Sequence, residues 1–152
     1  MPQRDSLNMK KYLLMILTVL ITLTGIYYYF RPMKTRVIIG NKTFYADLAV
    51  TNQEKELGLG NRTSLAADHG MIFVYDHEEQ YRFWMKNMRF PIDILWIKGN
   101  IIVDISKNVP IQTGSDLPVY TSVVPVNIIL ELPAGTADMY GIATGTTVTF
   151  RN

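Results

Sequence analysis

The chain has 152 residues, no cysteine, and 15 basic against 13 acidic side chains, with apolar types making up 48% of it. The missing cysteines exclude disulfides, thiolate nucleophiles, iron–sulfur clusters and cysteine-bound zinc. Leaving out Arg4, Lys10, Lys11 and Asp5, residues 31–152 carry 12 basic and 12 acidic side chains. That balance lacks the basic face with which proteins displace counterions from nucleic acid, so no nucleic-acid partner is expected.

Residues 1–11 read as a short leader. From Tyr12 to Phe30 there are nineteen residues without a charge, and a helix of that length spans about 28 Å, close to the hydrocarbon core of a bilayer. Lys10 and Lys11 precede the run, Tyr27, Tyr28 and Tyr29 close it with rings suited to the headgroup interface, and Arg31-Pro32 ends it. A cleaved secretory peptide would need a shorter apolar stretch and small residues at the cut. Thr22-Leu23-Thr24 before Gly25 matches that poorly, and a lipoprotein signal needs a cysteine. The expectation is one transmembrane helix over 12–30, with the bilayer as its partner, a linker over 31–36 and a globular domain over 37–152. Arg31, Lys34, Arg36 and Lys42 balance Arg4, Lys10 and Lys11 across the helix. A short leader with a lysine pair favours the cytoplasm, and large domains cross regardless of such charges, so the domain is expected outside.

After the anchor, Arg36–Ile39 and Lys42–Val50 read as a hairpin turned by Gly40-Asn41. Thr51 and Glu54 form a capping box that starts a helix running to about Gly58. Gly70–Tyr75 is a buried strand, which the polar run Asp76–Gln80 breaks. Tyr81–Met85 is a strand, and Ile92–Lys98 pairs with Ile101–Ser106 through Gly99-Asn100. Residues 108–125, with three prolines, form a long loop of the kind that serves as a lid or binding loop. Val126–Leu132 is a strand, Thr136–Tyr140 a brief helix stopped by Gly141, and Thr146–Phe150 a last strand. The fold class is therefore mainly β with one or two short helices, a compact barrel-like domain behind a single N-terminal transmembrane helix.

One stretch stands apart: Phe83-Trp-Met-Lys-Asn-Met-Arg-Phe-Pro-Ile-Asp93 packs cations, an amide and a carboxylate among aromatics and methionines. It resembles the signature of a widespread prokaryotic family known only as domain of unknown function 192. Gly58-Leu59-Gly60-Asn61-Arg62 is similar to the family's Gly-Leu-Met-x-Arg, with Gly60 in place of methionine, a change that leaves a side-chain-sized gap or a looser backbone. Gly70-Met71-Ile72-Phe73 matches the family's Gly-Met-x-Phe strand, and Glu131, Gly135, Gly141-Ile142 and Gly145 match its ending. The resemblance covers about Ala46 to Phe150. It implies a barrel-like fold and a site, without a reaction.

In a strand, Phe83 and Met85 share one face and Trp84 and Lys86 the other. With Arg62, Asn87, Asp93 and Glu131, the second set makes a candidate ligand-binding cleft: an apolar wall, cations, an amide and carboxylates. Lys86 and Glu131 are expected in one polar cluster beside Trp84, with Lys86 or Arg62 as partner of the carboxylate. The plainer alternative puts Trp84 under a loop, Lys86 on the surface, Asp93 capping a turn, and Arg62 clamping a carboxylate. Three functional readings follow: a binding domain for a small ligand or envelope component, a small hydrolase with Asp93 and Glu131 as acid and base, and an accessory subunit docking through its anchor and residues 108–125. No serine elbow, phosphate loop or dinucleotide fingerprint occurs. His69 and His77, beside carboxylates, lack metal-site spacing. No cofactor, metal or catalytic residue is assigned.

Overall fold

The computed structural model describes residues 3–29, 34–112, 114 and 117–151. It consists of two compact units, residues 1–32 and 33–152. The first is the helix α1 (Gln3–Tyr29), which contains a stretch, Asn8–Ile26, long and apolar enough to cross a membrane. The leucines and isoleucines from Leu13 to Ile26 are exposed, and the threonine hydroxyls bond back to the helix itself: Thr18 donates to Met15 O, Thr22 to Val19 O and Thr24 to Leu20 O, each at 2.8 Å. Such back-bonding satisfies polar groups that a hydrocarbon surrounding would leave unmatched. Phe30, Arg31 and Pro32, expected to end the helix, lie outside the described residues.

The second unit is mainly β, a curled half-barrel. Its strands are β1 (Lys34–Ile39), β2 (Lys42–Ala49), β3 (His69–Glu79), β4 (Phe83–Trp84), β5 (Ile92–Lys98), β6 (Ile101–Val109), β7 (Val119–Tyr120), β8 (Val126–Pro133) and β9 (Val148–Arg151). Two short helices, α2 (Asn52–Leu57) and α3 (Thr136–Met139), complete it. Seven strands form one sheet in the order β6-β5-β8-β3-β2-β1-β9, antiparallel throughout except for β2 beside β3. That parallel pair needs a crossover, which α2 and the chain to Asp68 supply. The sheet curls until its edges meet: Ile102 N donates to Thr146 O (3.0 Å), Gly145 N to Ile102 O (2.8 Å) and Val148 N to Asn100 O (2.8 Å).

Both faces of the sheet are buried. Leu95, Ile97, Leu130, Leu132, Phe44 and Ile72 fill the concave side with Ile102 and Val148. Ile94, Trp96, Ile129, Met71 and Phe73 line the other side, covered by Leu59, Met85 and Met88. A sheet covered on both faces uses near-continuous apolar strands, as β5 and β8 do.

Three expectations about element extent change. β3 does not stop at Tyr75: it continues to Glu79, with residues 75–78 thrown out as a bulge where the register with β8 jumps from Val74↔Ile128 to Glu79↔Val126. The polar run interrupts the pairing without ending the strand. The strand expected over Tyr81–Met85 is only Phe83–Trp84, because its partner β7 is two residues long. The region read as a loop over 108–125 holds the end of β6 and all of β7.

At Gly70 β3 leaves no room for a side chain beside β8: a Cβ there would sit 2.5 Å from the carbonyl oxygen of Glu131 and 2.8 Å from Leu132 Cδ2. Gly70→Ala is therefore expected to push these central strands apart and lower stability by about 1–3 kcal/mol. Urea unfolding of the full chain in detergent measures it, and an unchanged midpoint would show that the strands yield freely.

Candidate functional site

Strand register places five residues in one row across the outer face of the sheet. Asp47 on β2 stands beside Met71 on β3, Met71 beside Glu131 on β8, Glu131 beside Ile94 on β5, and Ile94 beside Ser106 on β6. Two acids thus flank Met71 beneath a predominantly apolar cover. Both are buried, and each has one oxygen, Asp47 Oδ1 and Glu131 Oε2, without a hydrogen-bond partner among the described residues. Arg62 satisfies the other oxygen of Asp47 at 2.7 Å. Its charge also reaches Glu131, but burial prevails there, and the Glu131 carboxyl is pushed up to about 8 from an ordinary 4.5.

Above Glu131 a cleft of about 210 Å³ opens. Phe73 and Phe83 form its walls, meeting edge to face at 4.9 Å, and Phe83 meets Trp96 in the same way at 5.6 Å. Gly58, with a positive φ of 53° after α2, passes over the carboxyl, and a Cβ there would stand 3.8 Å from Glu131 Oε2. The bulge of β3 turns Tyr75 into the cleft, where it stacks on Tyr81 at 3.7 Å and lies under the Lys55 ammonium at 4.2 Å. Burial and the neighbouring Tyr81 and Glu131 push the Tyr75 hydroxyl up to about 12, so it stays a hydrogen-bond donor. At the mouth, the ammonium of Lys86 lies 5.7 Å from the centre of the Trp84 ring.

Of the six residues singled out from sequence, Trp84, Lys86 and Glu131 line this cleft together. Lys86 and Glu131 share the cleft without forming an ion pair. Phe83 and Met85 point inward while Trp84 and Lys86 are exposed, the alternation expected of that strand. Asn87 lines an adjoining hollow with Gln53 and Leu57, and its positive φ of 59° shapes the turn in which Met88 N bonds to Met85 O. Asn87 O also accepts from Asn61 N at 2.9 Å, tying this turn to the loop of residues 58–62. Gly60 belongs to that junction and leaves no gap: a Cβ would stand 2.8 Å from Leu57 O and 3.2 Å from Lys86 O, so the close approach of two backbones excludes a side chain.

Asp93 lies elsewhere. It is fully buried on the opposite face from Glu131, since Asp93 pairs with Leu132 whereas Glu131 pairs with Ile94. Its carboxylate accepts from the backbone N–H groups of Asn108 (2.8 Å), Gly135 (3.2 Å) and Ala137 (2.8 Å), fastening α3 and the end of β6 to the sheet. Asp93 and Glu131 therefore cannot act on one bond as acid and base. Among the described residues, His69 bonds to Asp68 at 2.8 Å and His77 to Glu79 at 3.3 Å. Sequence reasoning missed Asp47, Tyr75 and Phe73. Asp47 did leave a signal, an acid within an apolar strand at a distance from an arginine that needed a partner.

Residues 35–150 match the model of the family DUF192, described as an uncharacterised ACR. A crystal structure from Sinorhizobium meliloti 1021, described as a "putative transcription regulator", is 30% identical and superposes with a TM-score of 0.69, covering 77% of this chain and 92% of that one. A protein of unknown function from Novosphingobium aromaticivorans DSM 12444 is 28% identical with a TM-score of 0.68, covering 78% and 84%. No curated protein matches.

The state of Glu131 has a measurable consequence. A carboxyl whose folded-state pKa is raised contributes its full stability when protonated, below about 4.5, and loses it as the pH rises through about 8. Compared with Glu131→Gln, which carries no titrating group there, the native chain is expected to lose a few kcal/mol between pH 5 and pH 8.5, about 5 at most. Parallel urea titrations at both pH values measure the difference, and curves that shift equally would place an ordinary, solvated carboxylate at this position.

Proposed function

This chain belongs to the DUF192 family, and from its cleft we propose that it is a membrane-tethered, extracytoplasmic domain that binds a small polar ligand drawn from the cell envelope. The carrying observation is Glu131 Oε2, a buried carboxyl oxygen with no hydrogen-bond partner at the base of an open cleft. Buried polar atoms are normally paired, and an exception that faces an open cleft is one a bound molecule can satisfy. A ligand hydroxyl or amide that meets this oxygen regains a bond the free protein lacks. Aromatic walls with a few converging polar groups are the usual makeup of a small-molecule site.

The hydrolase reading loses its acid and base pair, because Asp93 serves α3 on the far face. The regulator description of the Sinorhizobium relative is not carried over, since the charge-balanced domain offers little to a phosphate backbone. The apolar stretch Asn8–Ile26 supports a tether, which keeps the cleft within reach of envelope material.

Two experiments test this. The full chain, expressed in bacteria, is expected to stay in the membrane fraction after an alkaline wash and to expose its domain to protease added outside the inner membrane; release into the soluble fraction would remove the tether. In detergent, the purified chain is screened by thermal unfolding against envelope sugars and short peptides, since a ligand bound at 100 times its Kd stabilises by about 2.7 kcal/mol. A saturable upward shift that disappears in Glu131→Gln is expected; shifts indifferent to that substitution would move binding elsewhere.

A further inference from the structure

We infer that the cleft is specific for a hydroxylated organic anion of sugar size, its hydroxyl face turned down to Glu131 and Tyr75 and its anionic group held at the mouth by Lys86 and Arg82. This names the ligand class for the binding site proposed above and rests on that reading.

Two separate features of the cleft lead there. Its lining includes a buried carboxyl oxygen without a partner among the described residues, that of Glu131, and the half-buried Tyr75 with its hydroxyl. Both are short-range hydrogen-bonding groups set between aromatic rings, an arrangement that suits hydroxyls on a ring whose C–H face can lie against Phe83 and Trp84. An ammonium ligand suits the base poorly, because a carboxyl held mostly protonated offers it little charge.

At the mouth the charges are lopsided. Lys55, Arg82 and Lys86 line the cleft against a single exposed carboxylate, Glu56. Lys55 is already engaged, donating to Val74 O at 2.6 Å and lying over Tyr75. Among the described residues Lys86 meets only the Trp84 ring, and neither it nor Arg82 has a carboxylate partner. Elsewhere on the domain Lys98 pairs with Glu78 and Lys107 with Asp138, while Arg36, Arg89 and Arg151 also lack an acid among the described residues; what distinguishes Lys86 and Arg82 is that both line the cleft. Two uncommitted cations beside a neutral, hydrogen-bonding base favour a ligand that is anionic at one end and hydroxylated at the other.

Glucose and glucuronate, which differ by one carboxylate, separate the two features. The chain has two tryptophans; Trp96 is fully buried and Trp84 is 46% exposed, so quenching by neutral acrylamide reports on Trp84 and its protection reports on occupancy. For the full chain in detergent, glucuronate is expected to protect at about one tenth of the glucose concentration, the equivalent of one charge-assisted contact, with the preference shrinking at high salt. Lys86→Met and Arg82→Gln should each narrow that preference to about threefold or less, whereas Arg151→Gln, on the edge strand β9, should keep it. Equal protection by the two sugars, or a preference untouched by both cleft substitutions, would overturn the inference and leave the binding site standing. Protection by neither sugar would also overturn it, and together with an empty ligand screen would remove the site itself.

Discussion

A carboxyl group sunk in the middle of a seven-stranded sheet, with one oxygen unmatched, is the constraint to which the rest of this domain answers. Glu131 sits on the interior strand β8, between Met71 of β3 and Ile94 of β5, in surroundings that penalise its charged form. The neighbouring acid in the same row, Asp47, is instead paired with Arg62 at 2.7 Å. Of the two buried acids, Asp47 takes the arginine as its partner, while burial outweighs the attraction of Arg62 at Glu131 and pushes its carboxyl up.

The scaffold keeps that arrangement open at the top. Gly58 crosses Glu131 without a side chain, Gly60 lets the loop of residues 58–62 lie directly on the turn at Lys86 and Asn87, and the Asn61–Asn87 backbone bond joins the two. The ribbon of β4 and β7 holds Phe83 against Phe73 and Trp96, which turns the alternate residue, Trp84, to the mouth. Gln80 donates to Ser122 O and Val123 N to Asp104, fixing the chain around β7 to the sheet. On the other face Asp93 anchors α3 through the N–H groups of Gly135 and Ala137 and the end of β6 through that of Asn108, a structural task on the face opposite Glu131.

Much of this was legible in the sequence wherever the signal is local. Gly40-Asn41 and Gly99-Asn100 marked hairpins that the structure forms, the Thr51 and Glu54 capping box is present with both of its bonds, and the alternation from Phe83 to Lys86 gave the inward and outward faces correctly. What stayed hidden depends on register between strands distant in sequence. A shift of one residue moves a side chain to the opposite face of a sheet, and nothing local says that Asp93 aligns with Leu132 and not with Glu131. The partner of Arg62 was hidden for the same reason, since Asp47 and Arg62 meet only through the crossover between β2 and β3. The bulge at residues 75–78 read as the end of a strand because polar residues break an apolar run in either case.

Glu131 is either a desolvated carboxyl awaiting a ligand or an ordinary paired acid, and its own titration decides this most directly. In the full chain labelled with carbon-13 at the glutamate side-chain carboxyl, with the signal assigned through Glu131→Gln, the resonance is expected to titrate with a midpoint near 8, well apart from the exposed glutamates. A midpoint in the ordinary range near 4.5 would mean that water or a cation already satisfies the group, and would contradict the reading of this cleft as a binding site built around it.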